Sequence, residues 1–334
     1  MSSSLCVRSC SSLWIGLALL ASCGAPPGMP DASPSRIPIS PAGMFAIISR
    51  LDVRVPAAAA PILATLTAAT DGPDDPARYL IDRMIATLPD GSVKAIAIRA
   101  APYVAAYLND RIVAIAPRFV AGVDAIATGL SRIATRLDLV ETLRIDGSGR
   151  AVRMIMGARF DVGAALTTVE FAEDGVANIA VDVRVTLDGA GHVAIADHAH
   201  RLPYGALLRL GLDRAVVPGV EPAARDLAGA LAALVDCDRL GAVVADRVGL
   251  GSATLYAAAC RTGMTAIASE IEAQLTAIDD SALGLALAGA AEGIDLDGDG
   301  TMDQLRAGSW TGSLTSASSR DPIAAGSFAG SKAP

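Results

Sequence analysis

Near residue 139 the spacing of apolar side chains changes from three-to-four residues to two, and it changes back near 204 and again near 282. A spacing of 3.6 places apolar groups along one stripe of a helix, whereas a spacing of two places them on one face of a strand. A chain that switches period in this way cannot be all-helical or all-β. It must bury helical stripes and strand faces in a shared core.

From 43 to 138 the pattern is helical. Phe119, Val123, Ile126, Leu130, Ile133 and Leu137 alternate spacings of four and three, one face of an amphipathic helix. Asp75-Pro76 is a helix start, with Asp as cap and Pro in the first turn. From 139 to 203 the period is two: Val152, Met154, Met156, Ala158, Phe160 and Val162 form one alternating set. Ile179, Val181, Val183, Val185 and Leu187 form another, and Asp146-Gly147, Asp174-Gly175 and Asp188-Gly189 mark hairpin turns. Residues 204–280 return to helix, in a first segment from Tyr204 that Pro218 ends and a further pair that Pro222 begins. Residues 281–334 read as β-hairpins, in which Ala307-Gly308-Ser309-Trp310-Thr311-Gly312-Ser313 is echoed by Ala325-Gly326-Ser327-Phe328-Ala329-Gly330-Ser331. The echo predicts two paired strands, each placing one aromatic on the same face. The expected fold is a single α+β domain over 43–334. It has N-terminal helices, an antiparallel β-meander, a second helical segment and C-terminal hairpins, with helices covering the apolar face of one or two antiparallel sheets.

Ahead of this domain, a short polar head with Arg8 precedes the apolar run Leu13–Leu20, and small residues follow. The run is too short to span a bilayer and reads as the core of a secretory signal. Leu20-Ala21-Ser22-Cys23 resembles the lipobox of bacterial lipoproteins. That resemblance implies cleavage after residue 22, acylation of Cys23 and attachment to a membrane through lipid. Gly24 stands where an inner-membrane retention signal has Asp, so the expected address is the cell envelope, leaning to the outer membrane. Residues 24–42 are rich in Pro, Ser and Gly and form the expected flexible tether.

A lipoprotein address changes the cysteine count. Cys6 and Cys10 leave with the signal and Cys23 is acylated, so Cys237 and Cys260 remain as an even pair in an oxidising compartment. They are expected to form a disulfide across residues 238–259. The net charge of −8 offers no basic patch for phosphate backbones, and nucleic acid is not an expected partner.

The densest chemical motif is Asp295-Leu296-Asp297-Gly298-Asp299-Gly300-Thr301-Met302-Asp303. Four carboxylates within one short loop repel one another unless a cation lies among them, and hard oxygen ligands suit Ca²⁺. The alternation aims Asp295, Asp297 and Asp299 at one centre, and Gly300 allows the turn that brings in the Thr301 carbonyl. The loop resembles the first half of an EF-hand loop, although Arg306 stands where that family has its bidentate Glu. It is more similar to the Asp-x-Asp-x-Asp-Gly-x-x-Asp hairpin of integrin α-subunit repeats, which implies that Asp303 completes the set. Its expected role is structural, pinning the C-terminal hairpin.

His192, His198 and His200 occupy even positions of one strand, opposite Val193 and Ile195, and are expected at the surface because a third metal ligand is missing. Gly249-Leu250-Gly251-Ser252 is not a nucleophile elbow, and Ser252 suits a helix cap. No residues are assigned to catalysis. The expected function is a non-enzymatic envelope lipoprotein of binding or structural type, with its protein or ligand partner undetermined. A carrier of a lipid or other hydrophobic molecule is the alternative, and a hydrolase using His198 the third.

Overall fold

The computed structural model describes residues 39–333 apart from 58, 69–75, 110–116, 164–165 and 317–318. Cys23, the expected signal and most of the expected tether lie outside the described residues. The described residues form ten strands: β1 (Gly43–Asp52), β2 (Arg136–Ile145), β3 (Arg150–Asp161), β4 (Leu166–Glu170), β5 (Ile179–Leu187), β6 (His192–Arg201), β7 (Gly284–Ile294), β8 (Gln304–Thr315), β9 (Arg320–Pro322) and β10 (Ala325–Lys332). They pair in the order β10-β1-β2-β3-β5-β6-β7-β8, and β10 then pairs with β8. Every one of these ladders is antiparallel, so the sheet closes on itself as an eight-stranded barrel, with β4 and β9 appended to β3 and β8.

This corrects the expectation of helices covering one or two open sheets. Alternation reports only that a strand has a buried and a wet face, which an open sheet and a barrel share. Closure depends on β1 meeting β10 at the far end of the chain, with Phe45 opposite Lys332 and Asp52 opposite Ala325. It also corrects the start of the stretch read as helical. Gly43–Asp52 is a strand whose alternate residues Phe45, Ile47, Ser49 and Leu51 point into the barrel.

The helices enter as two insertions at one end of the barrel. Ala60–Ala68, Pro76–Ala86, Ser92–Asn109 and Pro117–Thr135 connect β1 to β2. Tyr204–Gly211, a π turn at Leu212–Val216, Val217–Val220, Leu227–Leu234, Cys237–Val248 and Ala253–Asp280 connect β6 to β7. Pro218 therefore does not end the first of these segments, because the chain keeps a further helical turn to Val220. The amphipathic stripe read from the sequence is buried from Phe119 to Ile133. Ser252 caps the long final helix, its hydroxyl accepting from the Leu255 amide at 3.2 Å.

Cys237 and Cys260 form the expected pair, with Cα atoms 5.6 Å apart, joining Cys237–Val248 to Ala253–Asp280. In the chain-entropy model a loop of this length contributes about 3 kcal/mol. Reduction under native conditions is expected to lower the urea midpoint accordingly, as read by circular dichroism. An unchanged midpoint would show that the bond does not constrain the unfolded chain.

The glycine-rich echo pairs as expected, β8 lying against β10 with Ser309 opposite Ser327. Trp310 and Phe328 meet inside the barrel, ring centroids 4.5 Å apart. The Trp310 ring fills the space beside Gly289, where a Cβ would come within 2.5 Å of it. Small residues on β7 thus make room for the indole.

Candidate functional site

The barrel end away from the helices is ringed by three loops. Two are the turns at Asp146–Gly149 and Asp188–Gly191, in which Asp146 and Asp188 accept backbone hydrogen bonds from Ser148 and Arg150, and from Ala190 and His192. The third is the acidic loop between β7 and β8. Here Asp295, Asp297 and Asp303 each present a carboxylate oxygen, all within 4.8 Å of one another, a group that could hold a metal ion. Asp295 is oriented by the amides of Gly298 and Gly300, at 2.7 and 2.9 Å, and Asp303 by the amide of Leu296 at 2.9 Å. Both glycines have left-handed backbone, φ 79° and 81°, which lets the loop fold back on Asp295.

Of the four acidic ligands expected, Asp299 is not among these three. Asp299 instead accepts from the Thr301 amide and hydroxyl, at 2.7 and 2.6 Å, and these bonds hold its carboxyl below the usual range. The Thr301 hydroxyl also accepts from Lys332 Nζ at 2.9 Å. That ammonium stands 3.7 Å from Asp303 and offsets part of the clustered charge. Ser40 forms an isolated bridge to Thr301: its amide donates to Gly300 at 2.8 Å and its carbonyl accepts from Met302 at 2.9 Å. The start of the described chain is therefore fastened to the acidic loop.

A second constellation, which the sequence did not reveal, lies inside the barrel. Arg153 on β3 and Glu141 on β2 are 1% exposed each and form a two-pronged ion pair, at 2.7 and 2.5 Å. The third guanidinium nitrogen donates to His198 Nε2 at 2.9 Å. His198 Nδ1 then carries the proton and donates to the Ala196 carbonyl at 2.9 Å, an assignment that follows from the Arg153 donor. Arg153 also lies over the Trp310 ring, 4.7 Å from its centroid, and Trp310 donates to the Ser49 hydroxyl at 2.9 Å. His200 stacks beside His198 with centroids 6.3 Å apart, and both its ring nitrogens are buried without a hydrogen-bond partner among the described residues. Burial, reinforced by the Arg153 and His198 charges, drives the His200 pKa down to about 3. Burial likewise lowers that of His198.

The histidines thus depart from the expected surface cluster. His192 is exposed and contacts Asp188 at 2.9 Å, but an extra residue on β6 between Ile195 and His198 turns His198 and His200 inward. A bulge on β3 has the same effect on the set Val152, Met154 and Met156. Opposite β2, Ala151, Arg153 and Ile155 face inward first, and only beyond the shift do Ala158 and Phe160 take over. Both ring nitrogens of His198 are thus engaged, Nε2 by Arg153 and Nδ1 by the Ala196 carbonyl.

No family model matches the chain, and no curated protein or solved structure is detectably similar to it. The fold and the two clusters define its class on their own terms: a closed β-barrel, helices at one end and an acidic loop at the other.

Proposed function

We propose that the protein is a lipid-anchored barrel of the cell envelope, a non-enzymatic binding or structural module whose membrane-proximal end is stabilised by Ca²⁺. The observation that carries this reading is the convergence of Asp295, Asp297 and Asp303 next to the point where Ser40 joins the barrel. These three carboxylates would hold the ion, other oxygen ligands completing the six to eight that Ca²⁺ takes. Calcium would supply charge neutralisation, and the loop would then hold both the β7–β8 hairpin and the root of the tether. The Leu20-Ala21-Ser22-Cys23 motif supports acylation at Cys23 and, with Gly24 following, an outer-membrane address.

The carrier alternative gains little from the cavities. The apolar pocket among the helices, lined by residues such as Ile81, Met84 and Val244, measures about 10 Å³. Ligand pockets are typically ~300–1,000 Å³. Two larger grooves, of about 520 and 740 Å³, are lined largely by Arg and Asp. No helix among the described residues is long and apolar enough to cross a membrane.

A loop of this kind is expected to bind Ca²⁺ at ~10⁻⁴–10⁻³ M, as extracellular modules do. A tenfold excess over Kd should then stabilise the fold by about 1.4 kcal/mol. Melting temperature should rise across a millimolar Ca²⁺ titration, and Asp297→Asn should abolish the rise. A melting temperature that ignores millimolar Ca²⁺ would overturn the proposal.

A further inference from the structure

A groove of about 520 Å³ lies where the C-terminal turn of Pro117–Thr135 meets the outer face of β2 and β3. Three guanidinium groups line it, Arg132, Arg136 and Arg159, against two carboxylates, Asp138 and Asp161. The charges do not cancel locally. Asp138 is buried and already accepts a two-pronged contact from Arg50, at 3.0 and 3.2 Å, on the β1 side. Arg136 makes a loose two-pronged contact with Asp138, at 3.4 and 3.5 Å, and stands 4.0 Å from Asp161. Neither Arg132 nor Arg159 has a carboxylate within 4.0 Å among the described residues, although Arg159 lies in register opposite Asp138. Arg132 is drawn in over Gly163, where a Cβ would come within 2.8 Å of its Nη1. In a chain of net charge −8, this groove concentrates cations that packing does not require.

Guanidinium forks lining one cleft suit an oxyanion, each able to give two parallel hydrogen bonds. Ile133 and Phe160, both buried, contribute the apolar part of its lining. We propose that this groove is a binding site for a phosphate group, with Arg132 and Arg159 as its principal donors. Arg136, steered by Asp138 and Asp161, supplies the third. The phosphate can belong to a soluble ester or to a lipid headgroup, and the chemistry recognised is the same.

Calorimetric titration of the purified full chain at constant ionic strength tests this. The probes are inorganic phosphate, glycerol 1-phosphate and monomeric dihexanoylphosphatidylglycerol. All three are expected to bind at millimolar or lower concentration. Arg132→Gln and Arg159→Gln are each expected to weaken binding about tenfold, the loss of one charge-assisted fork. Both side chains are at least partly exposed, so the variants should keep the wild-type melting temperature. Arg144→Gln, the same change of charge at the other end of the barrel, is expected to leave binding unaltered. Tighter binding of the lipid than of the ester would assign the source to a headgroup, and equal or weaker binding to a soluble phosphate. Absence of binding, or equal weakening by Arg144→Gln, would overturn the site.

Discussion

Replacing Arg153 by methionine is expected to destabilise the barrel by about 3–5 kcal/mol, because it leaves the Glu141 charge buried without its partner. The same change strips His198 Nε2 of its donor and removes the cation from the Trp310 face. Glu141→Leu alone should cost a similar amount, since it orphans the guanidinium. The double variant is expected to recover most of the loss, because two well-packed apolar groups avoid the desolvation that the ion pair must overcome. Chemical denaturation of the four proteins gives the coupling directly. Additive losses would show that the two charges do not depend on each other.

Acidification is expected to destabilise the fold in a window set by the inward histidines. An unfolded histidine takes up its proton near 6.5, whereas burial holds His200 neutral until about pH 3. Between these values the unfolded chain binds more protons than the folded one, so stability is full above 6.5 and falls as pH falls. The slope is about 1.4 kcal/mol per pH unit for each histidine so depressed. His198 adds to it in the same direction. Asp213 acts oppositely: burial, with help from Glu272 and Asp226, raises its pKa to about 6, so its protonation favours the folded state below that pH. The informative quantity is therefore the difference between wild type and His200→Phe. The variant should lose one histidine's share of the slope between pH 6.5 and 4 and retain its stability at pH 8. Parallel stability–pH curves for the two proteins would show that His200 is protonated equally in both states.

The local grammar of this chain was readable from its residues. Strict alternation in Ile179–Leu187 identified β5 and its inward Val181, Val183 and Val185. The aromatic echo identified two paired strands, and Cys237 and Cys260 pair as expected. The acidic loop was legible as chemistry, although only Asp295, Asp297 and Asp303 converge within it. What escaped depends on contacts that spacing does not encode. Closure rests on β1 and β10, whose residues pair across nearly the whole domain. The two bulges shift one face to the other by a single residue, and so invert the reading of Val152, Met154 and Met156 on β3 and of His198 and His200 on β6. Glu141 and Arg153 drew no assignment from the sequence, because a period of two does not say which alternate face is sealed by a barrel.

The most direct test is native mass spectrometry of the protein extracted in detergent from its own membrane. The expected species begins at an acylated Cys23 and carries one Ca²⁺ that a chelator removes. A chain processed without lipid, or one that takes up no Ca²⁺ at millimolar concentration, would contradict a calcium-stabilised, lipid-anchored barrel.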